Sequence, residues 1–519
     1  MFWNMRNAKI ASVILLLIVS FSSHPGLCYR VDDFRINDSI PPSSINNIVL
    51  STDGKGKFAV NWLDSSSPLN SVYTRVYRVD GTPIGPQVKI PDISDQGQLV
   101  ENISVENAML PNGNVVVVRS VRKDSTDSQG APYKFERGYV DILDSLGNQL
   151  VTSFRADTFT ASMSRWVNYD DVAADSLGNF KVLISVQAFN NGAYSWPFYF
   201  QQFYLNGQQR GGIVKVNDCT TAICKVTNQN HTISIAPNGR FIIAWDAALV
   251  PGLRLYDSTG VPMTEVLIPS CDDSLPYSCS GAQATCMIGT SPRIGIHSSG
   301  SFMVAFNACD GSPYYGNHPY VRSFDSLRVP LTPHIKIDDL DTSYSISSRP
   351  KASVLNDSEY VAAWADRGTQ PQLPDGDVFL KRYKRNGEQI GIKYRINNSV
   401  GENSSHEHLR IAVSNEHVFV VWRDRRHNPD LINSVYGQIM PVDEIGFFTP
   451  GDLNYDDNIT LADVIGTVNY LFKGVEFTPE GSALVCDVNG DCKVTLADAI
   501  YLVNFVLKPG WPDPVGCSM

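Results

Sequence analysis

Ile48-Val-Leu-Ser-Thr-Asp-Gly-Lys-Gly-Lys-Phe-Ala-Val-Asn-Trp62 reads as a strand, a tight turn and a second strand that ends on a large aromatic. Alternating apolar residues on both sides of the glycines give the period of a strand with one buried face. Equivalent second strands end at Trp245, Phe306, Trp364 and Trp422, and weaker copies run from Gly113 to Ser120 and from Gly178 to Ser185. Aligned on this feature, residues 34 to 446 hold seven units of about 60 residues, a period typical of repeat architectures. Each unit continues into a third strand, a turn such as Asp80-Gly81, Asn206-Gly207 or Asn386-Gly387, and a fourth strand. Asn-Gly and Asp-Gly supply the positive φ that tight hairpins need.

Four-stranded units repeated in this way predict an all-β, seven-bladed β-propeller. A solenoid or a pair of sandwiches is the alternative. The fourth strand ends in a recurring phrase: Val88-Lys-Ile-Pro-Asp92, Val214-Lys-Val-Asn-Asp218, Ile335-Lys-Ile-Asp-Asp339 and Tyr394-Arg-Ile-Asn-Asn398. The last repeat lacks it, whereas Phe34-Arg-Ile-Asn-Asp38 precedes the first repeat. The N-terminal strand is therefore expected to complete the last blade, closing the ring and protecting strand edges that would otherwise be unpaired. The propeller is expected over residues 29–446.

Loop lengths divide such a ring into a short-turn face and a long-loop face. Loops tend to carry function, and flat aromatic rings suit sugar stacking. Trp166, Tyr169, Tyr194, Trp196, Tyr314 and Tyr315 on the long-loop face are the candidate ligand residues, and ordinary loop packing is the competing reading for each. Cys219, Cys224, Cys271, Cys279, Cys286 and Cys309 fall on the same face. Six cysteines allow 15 pairings, so connectivity is not readable. A carboxylate-pair glycosidase needs two acids at a set separation. Asp64, Asp246, Asp366 and Asp424 are candidates, but Asp64, Asp366 and Asp424 recur two residues after the strand-end Trp, which points to a structural turn. The Trp422-Arg-Asp-Arg-Arg-His427 run is echoed by Trp364-Ala-Asp-Arg367, and His406-Glu-His408 reads as a surface turn. No nucleophile motif stands out. No catalytic set is assignable, and hydrolysis of glycosidic bonds stays open as an activity.

The 519 residues carry a formal net charge of −11 with no basic block, which argues against a nucleic-acid partner because phosphates demand Lys and Arg. Arg6 and Lys9 precede an apolar run from Ile10 to Phe21. It is too short to span a bilayer and reads as a secretory signal peptide over residues 1–28, with Gly26 and Cys28 at the cleavage positions. An uncleaved anchor is the alternative. Export to an extracellular or cell-surface location makes disulfides permissible.

The tail, residues 447–519, contains one unit written twice. Asp452-Leu-Asn-Tyr-Asp-Asp-Asn-Ile-Thr-Leu-Ala-Asp463 matches Asp487-Val-Asn-Gly-Asp-Cys-Lys-Val-Thr-Leu-Ala-Asp498. Calcium takes six to eight oxygens from such 12-residue loops, using positions 1, 3, 5, 7, 9 and 12. The first candidate set is Asp452, Asn454, Asp456, the carbonyl of Asn458, and Asp463. The second is Asp487, Asn489, Asp491, the carbonyl of Lys493, and Asp498. Thr460 and Thr495 stand at capping-box spacing before Asp463 and Asp498, so each loop should end as a helix begins. Ile465, Val468, Leu471 and Phe472 make one apolar helical face. Position 6, usually Gly, is Asp457 or Cys492, and position 12 is Asp rather than Glu.

Loop-helix, linker, loop-helix with Asp at position 12 resembles the type I dockerin module over about the last 60 residues. The resemblance implies two bound calcium ions and docking to a cohesin, often within assemblies that degrade polysaccharide. It implies partner contacts at Leu461, Ala462, Asn469 and Lys473, and at Leu496, Ala497, Asn504 and Lys508. Leu-Ala replaces the hydroxyl residues many dockerins carry at positions 10 and 11, and core packing is the competing reading of Leu461 and Leu496. The propeller would then bind a glycan or protein as docked cargo. The alternatives are a glycoside hydrolase or polysaccharide lyase with its active site on the long-loop face, and a calcium-stabilised binding protein without a cohesin partner.

Overall fold

The computed structural model describes residues 31–38, 45–95, 97–126, 132–159, 166–190, 193–217, 226–247, 250–264, 266–267, 269, 292–308, 318–338, 350–356, 358–366, 377–397, 407–414, 416–424, 434–442, 445, 450–453, 459–473, 485–489, 493–508, 510–512 and 514. The larger part is a β-propeller of antiparallel sheets that run outward from a central cavity. One four-stranded sheet takes Ile45–Thr52, Lys57–Asp64, Ser71–Arg78 and Val88–Lys89 in order. Arg293–Ile296 through Ile335–Lys336 and Lys351–Asn356 through Gln389–Arg395 form two more. A three-stranded sheet runs Val226–Ile235, Phe241–Ala247 and Val250–Tyr256.

The fourth four-stranded sheet joins the two ends of the propeller. Its order from the edge is Val31–Arg35, Ser434–Pro441, His417–Asp424 and Glu407–Val413. Phe34 lies opposite Gly437 and Arg35 opposite Tyr436. The recurring phrase explains the attachment. Ile36 N donates to Val435 O at 2.8 Å, and Val435 N donates to Asn37 Oδ1 at 2.8 Å. Asn217 and Asn397 accept in the same way from Phe198 N and Val378 N at the start of their own third strands. The preceding apolar residue is buried each time, as Ile36, Val216 and Ile396. A fourth strand is thus pinned twice, by an apolar anchor and by an amide that caps its neighbour.

The blade count needs correction. Among the described residues five sheets stand as separate blade units rather than the expected seven. The remaining repeats, 101–154 and 166–215, are joined in one nine-stranded sheet because Glu136 pairs in parallel with Trp166. The strand-end aromatics Trp62, Trp245, Phe306, Trp364 and Trp422 are all buried between sheets. Phe58 of the first repeat stacks on Phe419 of the last with ring centroids 4.5 Å apart. Arg75 and Arg254, both on third strands, donate to Ile36 O and Val216 O of the preceding fourth strand, each at 3.2 Å. Gly81, Gly207 and Gly387 take the positive φ their turns require.

The tail forms two helices, α1 (Leu461–Lys473) and α2 (Leu496–Leu507). Their shared core is Leu453, Val464, Val485, Cys486, Val488 and Leu502, with Ile459 and Val494 from loop position 8 packed against it. The apolar face of α1 is turned outward. Ile465, Val468 and Phe472 are 60%, 37% and 67% exposed, because Asp463, Val464 and Thr467 occupy the inner side of α1. No helix among the described residues is long and apolar enough to cross a membrane.

Candidate functional site

Each tail loop is tied to its helix by the carboxylate at position 12. Asp463 Oδ1 accepts from Leu453 N at 2.7 Å, and its Oδ2 accepts from Thr460 N at 2.8 Å and Thr460 Oγ1 at 3.1 Å. Asp498 repeats the set: Oδ1 accepts from Val488 N at 3.1 Å and Asn489 N at 3.4 Å, and Oδ2 from Thr495 N at 2.8 Å and Thr495 Oγ1 at 3.2 Å. The threonines return the contact by accepting from Ala462 N and Ala497 N, both at 3.2 Å. This is a capping box whose acid also reaches back across the loop to position 2. A negative charge at a helix N-terminus is also favoured by the exposed N–H groups there.

Asp452, Asp463, Asp487 and Asp498 are all buried. Four carboxylates held at positions 1 and 12 of paired loops are hard oxygen donors, which fits a hard cation. Asn489 is half-buried beside them, and Lys493 is exposed; its ammonium has no lone pair, so only its carbonyl could face a cation. Asn454, Asp456, Asn458 and Asp491 lie outside the described residues. Among the described residues no three His, Cys, Asp or Glu side chains converge on one point.

The expected partner residues are divided. Leu461, Ala462, Lys473, Leu496, Ala497 and Lys508 are exposed, whereas Asn469 and Asn504 are half-buried. The core reading of Leu461 and Leu496 is corrected: they are 51% and 52% exposed. Lys508 Nζ sits 5.1 Å over the Trp511 ring. The residues that were missed are the matching stripes behind these positions. Ile465 and Phe472 on α1 correspond to Ile500 and Leu507 on α2, and all four are exposed. Their signal was available as the same spacing in both copies.

On the propeller, Trp166 and Trp196 stack with centroids 6.1 Å apart and planes at 20°. Trp166 Nε1 donates to Lys134 O at 3.0 Å. Tyr169 must be withdrawn as a ligand platform. Its ring is buried, and its hydroxyl donates to Asp157 Oδ2 at 2.8 Å while accepting from Asp157 N at 3.1 Å. Tyr194 lies in the short strand Ala193–Ser195, opposite Phe189; its side chain is outside the description. Tyr314, Tyr315, the six middle cysteines and His406 also lie outside the described residues. Asp64 Oδ1 accepts from Ser66 N at 2.9 Å and Asp424 Oδ2 from Trp422 Nε1 at 3.2 Å, so both are turn and strand-end supports. Asp246 is buried, and the side chain of Asp366 is not among those described.

The innermost strands surround a cavity of about 330 Å³ that holds Glu106, Asp170, Asp171, His231, Arg293, Lys351 and Arg410. Burial pushes the Glu106 carboxyl up to about 7, against the opposing pull of Arg410, whose Nη2 lies 3.6 Å from Oε1. Burial raises Asp171 as well, although Ile233 N and Thr232 Oγ1 donate to it at 2.9 and 2.8 Å. Periodicity did not reveal Asp170 and Asp171 as inner-wall residues, because the strand register shifts between Tyr169 and Asp171.

Residues 450–507 match the model of the dockerin type I domain. No curated protein sequence matches the chain. Among solved structures the chain is similar to the polysaccharide lyase Uly1, at 10% identity over 81% of this chain and 94% of that one, with a TM-score of 0.43. It is similar to an α-L-arabinanase of Penicillium chrysogenum complexed with arabinobiose, at 11% identity over 80% and 99% of the two chains, with a TM-score of 0.36. It is also similar to the β-propeller domain of the Trilobed protease of Pyrococcus furiosus, at 7% identity over 77% and 95%, with a TM-score of 0.39.

Proposed function

Residues 450–507 form a type I dockerin domain, and from this we propose that the tail attaches the propeller, in a calcium-dependent manner, to a cohesin-bearing partner. The observation that carries the reading is the duplicated position-12 carboxylate, which makes the same bonds to positions 2 and 9 in both loops. Type I dockerins bind calcium. Here one ion would be held by Asp452, Asn454, Asp456, the Asn458 carbonyl and Asp463, and the second by Asp487, Asn489, Asp491, the Lys493 carbonyl and Asp498. Calcium supplies the positive charge that holds these carboxylates together. The chain itself orients Asp463 and Asp498 through the loop amides. The docking surface is the pair of exposed helix faces, led by Leu461-Ala462 and Leu496-Ala497 and continued by Ile465 with Phe472 and by Ile500 with Leu507. Because the two faces match, the tail can present either helix to one partner site.

The propeller is then docked cargo, exported through residues 1–28, that acts in extracellular polysaccharide binding or breakdown. Calorimetric calcium titration of the full chain tests the first half of this reading, with Asp463→Ala and Asp498→Ala alongside. Two sites, each lost with its own Asp, are expected. A chain that takes up no calcium would remove the docking proposal. A pull-down against a panel of type I cohesins, with and without a calcium chelator, tests the second half; the expected result is capture only when calcium is present.

A further inference from the structure

We propose that the cleft between the repeats 101–154 and 166–215 is a saccharide subsite that takes one neutral sugar unit of a glycan chain. This deepens the polysaccharide reading and rests on it for the class of polymer. The cleft holds about 450 Å³ and opens among Arg122, Glu136, Trp166, Asn168 and Asp170, with Glu106 shared between it and the central cavity. It lies toward the ends of its strands that carry the long loops, since Arg122 is near the close of Val115–Thr126 and Glu136 near the start of Pro132–Leu143.

The chemistry of the wall selects the ligand. Glu136 Oε1 accepts from Arg122 Nε at 2.8 Å and Nη2 at 2.7 Å, which fixes both side chains and cancels their charges. The Glu136 side chain is 8% exposed, so its second oxygen is held at the wall rather than dispersed in water. Asn168 is 8% exposed and its Oδ1 accepts no hydrogen bond. The Asp170 side chain is 7% exposed; Oδ1 accepts from Ser185 Oγ at 3.0 Å, while Oδ2 lies 3.1 Å from His231 Nδ1 without the alignment of a hydrogen bond. Buried polar atoms without partners are uncommon and mark a missing partner. Asn168 Oδ1 is an acceptor without a donor, and Asp170 Oδ2 has only the poorly aligned His231 ring beside it, so a ligand that brings donors suits this wall. An anion brings none and would meet Asp170 and Glu136. A sugar brings several hydroxyl donors and an apolar C–H face, and the half-buried Trp166 indole, backed by Trp196, offers that face a flat wall. A rotation about χ2, a soft torsion, would present the Asn168 amide to the cleft.

The test is isothermal titration calorimetry of the full chain with cellohexaose, xylohexaose, mannohexaose, arabinohexaose and hexagalacturonate. Trp166→Ala and Asn168→Ala are titrated in parallel, and calcium uptake and thermal midpoint are measured on the same samples. The expected result is binding of at least one neutral oligosaccharide, weakened at least tenfold by either substitution, with calcium uptake unchanged. Binding that both variants retain in full places the glycan elsewhere and overturns the proposal. Binding of hexagalacturonate alone overturns the neutral class, and silence of the whole panel against a folded, calcium-loaded chain overturns the subsite. If Trp166→Ala lowers the thermal midpoint, Trp166→Phe keeps the wall aromatic and is expected to restore binding. Loss of calcium uptake in the parent chain would instead count against the docking reading, so the two failures are separable.

Discussion

Asp498→Ala removes the acceptor for four donors at once: Val488 N, Asn489 N, Thr495 N and Thr495 Oγ1. Two of these bonds, from Val488 N at 3.1 Å and Thr495 N at 2.8 Å, come from backbone amides well separated along the loop. A hydrogen bond to a charged group contributes about 1.5–3 kcal/mol, so losing the pair costs about 3–6 kcal/mol. Loss of the N-cap interaction is part of that sum, since such caps are worth about 1 kcal/mol. Asp498→Asn keeps one carbonyl acceptor without charge and should cost about half as much. The readout is amide hydrogen exchange of the full chain with calcium present. At 1.4 kcal/mol for each factor of ten, exchange across Leu496–Leu507 should speed up by about 10² to 10⁴ in Asp498→Ala. The strands Lys57–Asp64 and His417–Asp424 serve as an internal reference and should not change. Unaltered exchange in α2 would refute the claim that the position-12 carboxylate holds loop and helix together.

Gly138→Ala should be among the most damaging single changes in the propeller. An added Cβ would lie 2.1 Å from Tyr169 Cδ1, and the buried ring has no room to retreat, so a loss of about 3 kcal/mol is expected in thermal unfolding. Tyr77→Phe removes a buried hydroxyl that donates to Ile36 O at 2.7 Å, and should cost about 1–2 kcal/mol by urea denaturation. Glu106 binds its proton more tightly when folded, because burial raises its carboxyl from 4.5 to about 7. Its contribution to stability is therefore full at low pH and is lost as pH rises from about 4.5 to 7, by no more than about 3 kcal/mol. Glu106→Gln should flatten that part of the thermal-midpoint profile. Burial also pushes the Cys486 thiol up to about 12, so maleimide labelling mapped by mass spectrometry should find Cys486 inert until the tail unfolds.

The features legible in the sequence were those that repeat. Trp62, Trp245, Trp364 and Trp422 recur because each inter-sheet layer needs one large buried side chain, and period-two alternation exposes that need. The phrase around Asn37, Asn217 and Asn397 recurs because in these three units the amide after the fourth strand caps the neighbouring strand. The junctions from loop to helix in the tail were legible because Thr followed three residues later by Asp is the spacing of a capping box. What was not legible depends on orientation. Helical periodicity assigns Ile465, Val468 and Phe472 to one face but cannot say whether it turns inward, and in both helices the acidic position-12 side claimed the interior. Tyr169 looked like a rim aromatic, but the neighbouring register shift sends its ring inward beneath Gly138. Glu136 and Arg122 sit in unremarkable strand positions and meet only across adjacent strands, which a single sequence does not announce.

The seam that closes the ring also decides how the molecule bears tension. Ser434–Pro441 is the last propeller strand before the tail, and it is flanked by Val31–Arg35 on one side and His417–Asp424 on the other. A force applied at a docked tail enters the propeller through a strand gripped by two neighbours along its length, not through a free edge. Arg75 donates from the first repeat to Ile36 O, next to the Val31–Arg35 strand, and so spreads part of that load into the adjoining sheet. Such a strand yields by shearing many bonds together rather than by peeling them singly. Tension applied through the tail should therefore unfold the tail before it opens the ring, an order that single-molecule pulling between the tail and a distal turn can read directly.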